Sequence, residues 1–263
     1  GVLDLEEGTV CSAEKALSGV CTDAFGFSDG SNEFRDVSVD NDSPHSTEQL
    51  GARLKLNWKL DQNINITSIT AFSDLQRQHQ IHCDASSINV CVGFFGLDNQ
   101  VYSQEFQMSG EQEKLHWISG IFLLKENIQQ QNSIDLLRDF RASGPTSGAA
   151  QYFYNNTIDT ESKAIFGQID INIKSQTTLT AGLRYNNEQI SFTSNTDLNI
   201  PQNDNVKGLT FPFWSVTDSI KNNQWSGKLA LTYKLANNWA VYASASSGYK
   251  SGGFNGGFLF TEA

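Results

Sequence analysis

From Leu50 onward the chain alternates apolar and polar residues with period two. Leu50, Ala52, Leu54, Leu56, Trp58 and Leu60 fall on one side, and Gly51, Arg53, Lys55, Asn57 and Lys59 on the other. Successive side chains of an extended strand point to opposite faces, so this spacing predicts a strand with one greasy and one charged face. The same split recurs four times. Ile165, Gly167, Ile169, Ile171 and Ile173 oppose Phe166, Gln168, Asp170 and Asn172. Leu179, Ala181, Leu183 and Tyr185 oppose Thr178, Thr180, Gly182 and Arg184. Trp225, Gly227, Leu229, Leu231 and Tyr233 oppose Ser226, Lys228, Ala230, Thr232 and Lys234. Less cleanly, Val241, Ala243 and Ala245 oppose Ser244, Ser246, Gly248 and Lys250.

Eight strands are predicted, at about 48–60, 64–82, 100–109, 114–128, 159–174, 177–194, 223–235 and 238–250. No helical periodicity competes, apart from a short turn around Ala13 to Leu17. Asp61 to Asn63, Gly110 to Glu113, Ser175-Gln176 and Ala236-Asn237 read as tight turns. Between them the stretches 83–99, 129–158 and 195–222 are long and polar, as are 10–47 and the segment from Ser251. Short and long connections therefore alternate, which in an up-and-down meander puts all tight turns on one side. A transmembrane β-barrel has that asymmetry, and a membrane strand needs roughly 9–11 residues to cross. A soluble sandwich also alternates, but its strands are shorter and its loops need not follow this rule. The expected fold is thus all-β: an antiparallel up-and-down transmembrane β-barrel.

Composition changes this picture only at its edges. The chain has 263 residues and a formal net charge of -11, from 29 acidic and 18 basic residues. That balance excludes a phosphate-tracking surface, so nucleic acid is not an expected partner. Hydrophobic residues are only 38%, but 11% aromatics and regular strand patterns argue against disorder. No run approaches 18 apolar residues, which excludes a transmembrane helix and leaves strands untouched. The start, Gly1-Val2-Leu3, shows no signal peptide, so the expectation is a removed leader or an internal piece of a longer chain. The four cysteines form two close pairs, Cys11/Cys21 and Cys83/Cys91, in loop-like surroundings without C-x-x-C spacing. Two local disulfides in an oxidising compartment are expected, although four cysteines allow three pairings.

Catalytic chemistry finds little support. No G-x-S-x-G, H-E-x-x-H or phosphate-loop motif occurs, so neither an enzyme nor a cofactor is expected. His79 and His82, beside Cys83, could begin a metal site, but no second cluster supplies further ligands. Asp170 and Glu188 are isolated strand carboxylates that a watered lumen explains, and the Gly252–Gly257 run reads as a rim loop. The candidates for ligand contact are aromatics in the polar stretches: Phe94 and Phe95, Tyr152, Phe153 and Tyr154, and Phe211, Phe213 and Trp214. Exposed rings offer stiff apolar surface to amphipathic ligands; the alternative is an interfacial girdle or loop packing.

Several segments then resemble one family. Val101-Tyr102-Ser103-Gln104-Glu105-Phe106-Gln107-Met108 resembles the YSQELRL strand of TonB-dependent outer-membrane receptors. The strand Trp117-Ile118-Ser119-Gly120-Ile121-Phe122 follows a short turn, as it does there. Ala164-Ile165-Phe166-Gly167-Gln168 resembles that family's AxFGQ strand, and Thr178 to Tyr185 its LTxGLRY strand. Gly248-Tyr249-Lys250-Ser251-Gly252-Gly253-Phe254-Asn255 is similar to its GYKSGGFN segment. The resemblance covers about Leu50 to Asn255.

It implies a siderophore-receptor-like barrel of about 22 strands, plugged by a globular domain, in the bacterial outer membrane. It also implies uptake of a scarce nutrient, commonly a ferric siderophore, with outer-membrane lipid around the wall. The TonB complex would act only through the plug. The expected division is 1–47 as barrel edge and long extracellular loop, 48–250 as strands, and 251–263 as the start of a further loop. Plug and closing strands are absent from this pattern, so the chain reads as an internal barrel fragment. Two rivals stand beside it: a complete small eight-stranded barrel, and a secreted β-rich carbohydrate-binding module.

Overall fold

The computed structural model describes residues 3–4, 9–12, 15, 21–22, 39, 42–83, 87–139, 150–200, 209–235, 239–254 and 256. Two short strands come first, β1 (Leu3–Asp4) and β2 (Thr9–Val10), paired antiparallel. Eight longer ones follow: β3 (His45–Lys59), β4 (Ile64–His82), β5 (Cys91–Gln112), β6 (Leu115–Leu136), β7 (Ala150–Lys174), β8 (Thr177–Ile200), β9 (Leu209–Lys234) and β10 (Ala240–Ser247). They form one antiparallel sheet in sequence order. Each strand pairs with the next, and among the described residues β3 and β10 do not pair with each other. The wall is open at both edges and consists of a single sheet. That removes both the closed eight-stranded barrel and the packed double sheet of a sandwich.

The tight connections after β3, β5 and β7 lie at one end, each bonded to a neighbouring strand; the turn expected at Ala236-Asn237 lies outside the described residues. Glu111 N–H donates to Asn63 O at 3.0 Å, Asn172 N–H to Lys114 O at 2.8 Å, and Lys234 N–H to Gln176 O at 2.8 Å. The turn expected at Gly110 to Glu113 sits slightly later, because β5 stays paired through Gln112↔Leu115. The longer connections gather at the opposite end. There Leu137, with φ of 55°, turns the chain sharply out of β6, and its N–H reaches Val90 O at 2.7 Å. A leucine in the left-handed region is uncommon and marks a tightly constrained corner.

Strand β4 spans the expected 64–82, and β10, expected over 238–250, is shorter, but the five strands β5 to β9 are longer than the sequence pattern suggested. β5 begins at Cys91, β6 runs to Leu136, β7 begins at Ala150, β8 runs to Ile200 and β9 begins at Leu209. Most of the described residues expected in loops at 83–99, 129–158 and 195–222 are therefore strand. The reason is solvent. Alternation of apolar-out and polar-in marks a strand only where the outer face meets lipid, and above the apolar band the outer face is polar too. Ladder pairing continues there on polar cross-strand partners. Asn127 Nδ2 donates to Asp159 Oδ1 at 2.8 Å, Asn187 Nδ2 to Asn223 Oδ1 at 2.6 Å, and Ser215 Oγ to Asn195 Oδ1 at 2.8 Å. Each is a directly opposite pair in the register, the unit of sheet stabilisation.

Register assigns every side chain to a face. One face carries Leu54, Leu56, Phe106, Ile121, Ile165, Leu183, Leu229 and Leu231, all 40% or more exposed. The other carries Arg53, Lys55, Glu105, Asp170, Arg184, Glu188 and Lys228. Burial concentrates on this second face, at Ser162, Ala164, Asn186, Ile190 and Phe192. Concave sides of a curved sheet crowd their side chains, so this is the inner face. Glycine fits here where a neighbouring ring crosses the strand: a Cβ on Gly120 would lie 2.5 Å from the Phe166 ring and 2.6 Å from Phe106 O.

The outer apolar band has a height suited to lipid. It spans Trp225 to Tyr233 on β9 and Leu50 to Trp58 on β3. That is about nine residues on each, as a membrane strand requires. Following one ladder row outward from Leu54 gives Thr70, Gln104, Leu123, Lys163, Asn187 and Asn223. The row starts inside the band and ends above it, which is what strands tilted against a level membrane produce.

Much of the expected loop at 1–47 lies outside the described residues, as do Ala13 and Leu17 of the proposed helical turn. Cys11 is bonded to Cys21 and Cys83 to Cys91.

Candidate functional site

The aromatics expected to contact a ligand fall near the end of the wall opposite the tight turns. Of the aromatics singled out above, none of the eight lies in a loop; all are on strands. Phe94 and Phe95 open β5, Tyr152, Phe153 and Tyr154 open β7, and Phe211, Phe213 and Trp214 open β9. Their shared position, just inside the start of alternate strands, brings them close to one ladder row, Phe95–Asn132–Tyr154–Thr196–Trp214.

Register then separates them. Tyr154 faces Asn132 and Thr196, Tyr152 faces Leu198, and Trp214 faces Thr196, all on the inner face with Phe95 and Phe211. Tyr152 and Phe213 meet edge-on, with centroids 6.3 Å apart. Phe95 stacks on His79 at 5.0 Å, and His79 lies 5.8 Å from His45. Phe94 and Phe153 instead share the outer face, flanking Ser133. Phe94 borders a small pocket of about 240 Å³ with Gln80, Asp135, Arg138 and Gln151. There Arg138 pairs with Asp135 at 3.0 Å, and Gln151 Nε2 donates to Asp135 Oδ2 at 3.0 Å. The eight rings are therefore two groups on opposite faces, and only the inner one borders a lumen.

Below the inner rings lies a feature the sequence reading placed elsewhere. The glycine-rich segment after β10 is not a free rim loop: its described residues lie against the inner wall. Asn222 Nδ2 donates to Ser251 Oγ at 2.7 Å, and Ser251 Oγ in turn donates to the Glu188 carboxylate. Gly252 sits over Ile220, where a Cβ would be 3.7 Å from Cδ1. Phe254 stacks flat on Phe192 at 4.8 Å, with the rings 8° from parallel. Asn156 Nδ2 donates to Gly256 O at 2.8 Å. Tyr249, at the head of this strap, has its phenol pushed up, first by burial and then by Glu188, against a smaller opposing effect of Arg184. It stays protonated at neutral pH and can donate a hydrogen bond.

Deeper in the wall, Arg184 is held over two rings, 5.6 Å from the Phe122 centroid and 5.8 Å from that of Phe166. Asp170 is not isolated; it accepts from Thr180 Oγ1 at 2.5 Å and Gln168 Nε2 at 3.3 Å. Among the described residues no three His, Cys, Asp or Glu side chains converge as metal ligands. The surface is thus built for contact: stacked rings above, hydrogen-bonding amides and hydroxyls below. Sequence reading missed Phe192, Phe254 and Asn156. The one available signal was Phe254 inside the Gly-rich segment, an aromatic that a purely flexible loop would not need.

The family described as TonB dependent receptor-like, beta-barrel matches residues 15–261. No curated protein matches the sequence. Among solved structures the chain is similar to the ferric yersiniabactin uptake receptor FyuA from Yersinia pestis, at 13% identity and a TM-score of 0.58, over 79% of this chain and 29% of that one. It is also similar to the ferric-catecholate import receptor Fiu from E. coli K12 in its open form, at 13% identity and a TM-score of 0.55, over 80% of this chain and 36% of that one. The closed form of Fiu gives 12% identity and a TM-score of 0.54 over 80% of this chain. At such identities the likeness is one of fold. The chain spans about a third of the length of these receptors.

Proposed function

The chain belongs to the TonB-dependent receptor-like β-barrel family of the outer membrane, and on that premise we propose that it forms part of the wall of a receptor that takes up a ferric siderophore. The observation that carries this reading is the two-faced wall. Its outer band is apolar to a membrane's height, while its inner face presents Tyr152, Tyr154, Phe211 and Trp214 above a polar, hydrogen-bonding slope. A siderophore complex is a bulky amphipathic ligand, and stiff aromatic surface with adjacent amides suits it. FyuA, a ferric yersiniabactin uptake receptor, and Fiu, a ferric-catecholate import receptor, share this fold. In such a receptor the TonB complex acts through a plug domain, and the role of this wall is to hold ligand and pass it inward. Binding and transport, not catalysis, is the activity this surface supports.

The test is radio-iron uptake by cells expressing the protein, with ferric siderophores as the iron source. Replacing Phe211 and Trp214 together by Ala should raise the half-saturating concentration about tenfold, as loss of aromatic anchors does. Replacing the outward Phe153 should leave uptake unchanged. Equal uptake in the inner-face double variant would refute the ligand-contact assignment.

A further inference from the structure

On the outer face, the wall departs from a plain lipid-facing surface at the upper edge of the apolar band. Between β4 and β7 there is an open notch of about 580 Å³. Its apolar side is formed by Leu123 and by the Phe72–Tyr102 ring pair, whose centroids are 4.8 Å apart. Lys125 and Lys163 stand over it. Lys125 lies opposite Tyr102 and Glu161, and Lys163 lies opposite Leu123, so the two cations are diagonal neighbours on adjacent strands. Lys125 Nζ approaches Glu161 Oε1 at 3.8 Å, with both side chains more than half exposed. An exposed pair of this kind is weak and readily exchanged.

A second, independent oddity lies directly beneath. Inside the apolar band, Thr70 Oγ1 donates to Gln104 Oε1 at 2.6 Å, and Gln104 Nε2 donates to Ser68 Oγ at 2.9 Å. These three residues face the same side as Leu54, Leu56 and Phe106. Polar side chains turned toward hydrocarbon are costly unless partnered. Here they partner one another and carry a polar floor down from the lysines into the band.

We propose that this notch binds an acidic lipid: its phosphate on Lys125 and Lys163, its ester linkage over the Thr70–Gln104–Ser68 floor, and an acyl chain along Leu123 and the Phe72–Tyr102 rings. The charge balance favours an anion, with two ammonium groups against one carboxylate. Lysine stems run along apolar surface while their heads reach the interface, which is where a lipid phosphate lies. The inference rests on the membrane-spanning reading of the wall.

The test uses the protein purified from membranes into dodecylmaltoside micelles and titrated with phosphatidylglycerol, phosphatidylcholine or inorganic phosphate. Bound lipid is read by native mass spectrometry. Phosphatidylglycerol should be retained about tenfold better than phosphatidylcholine, the size of one charge-assisted hydrogen bond in an equilibrium. Replacing both lysines by Gln should remove the preference, and replacing both by Arg should keep it. Equal retention of the two lipids, or a preference surviving in the Gln variant, overturns the site. Displacement of phosphatidylglycerol by inorganic phosphate at comparable concentration also overturns it, in favour of a free-phosphate site. Circular dichroism on the same samples separates the two levels of failure. A chain without sheet in micelles overturns the membrane reading together with the site; a folded chain without lipid preference overturns the site alone.

Discussion

Two regions of one wall are built on the same backbone ladder and held together differently. Below the upper edge of the apolar band, marked by Phe72, Tyr102, Tyr185 and Trp225, most outward side chains are apolar, and polar side-chain contacts are few: the Thr70–Gln104–Ser68 group, Ser247 Oγ accepting from Gly227 N–H, and Tyr233 donating to Gln176 in the turn. Above that edge, outward side chains pair across strands as Asn127–Asp159, Asn187–Asn223 and Thr193–Thr217. The lower region answers to lipid, where the backbone must be fully paired and an apolar outer surface is favoured. The upper region stands in water, where polar partners on the outer face keep a tall strand soluble. Alternation in the sequence is therefore a reading of the solvent on each face, not of strand length.

The comparison is broken most severely by moving a charge between its halves. Leu229, mid-band on β9, is 56% exposed on the outer face. Leu229→Arg should destabilise the protein in lipid by about 2–4 kcal/mol. Ser219→Arg, ten residues up the same strand and face, should change it by less than about 0.5 kcal/mol, as exposed surface substitutions do. Denaturant unfolding in vesicles measures both, and equal losses would erase the distinction between the two regions.

Packing should be the next largest effect. Gly120→Ala drives a methyl group into the Phe166 ring and Phe106 O, and should cost about 1–3 kcal/mol as overpacking does. Gly167→Ala, whose Cβ would meet nothing nearer than 3.6 Å, should be close to neutral. Melting temperatures of the two variants decide the point.

The strap sharpens the contrast on the inner side. Phe254→Ala removes the ring stacked on Phe192 and should loosen the strap by about 0.5–1.5 kcal/mol. Hydrogen exchange should rise over residues 249–256 and stay unchanged on β9. Protection lost across the whole sheet would mean that the strap holds the wall together.

The smallest effect belongs to a single polar pair of the upper wall. Asn187→Ala breaks the 2.6 Å contact with Asn223 and should cost about 0.2–1 kcal/mol. A double-mutant cycle with Asn223→Ala isolates that coupling, and an additive result would show that the upper wall stands on backbone pairing alone.

Much of the wall was legible in the chain. The eight strands, their order, the described tight turns and the face of each of Arg53, Lys55, Asp170, Arg184, Lys228 and Lys234 follow from period two, because lipid on one side and water on the other impose it on every crossing strand. Where that difference in solvent ends, so does the signal. The upper halves of β5 to β9 read as loops because Gln, Asn, Ser and Thr take over the outer face, and their pairing depends on neighbours tens of residues away. For the same reason the sequence could group eight aromatics by position but not by side: which of them reach the lumen is decided by register, and one residue of offset separates Phe94 from Phe95. The descent of the Gly-rich segment onto Phe192, Glu188 and Asn156 is also a tertiary decision. Its contacts join β10's exit to β7, β8 and β9, and local sequence carries no record of a surface that exists only once those strands are assembled.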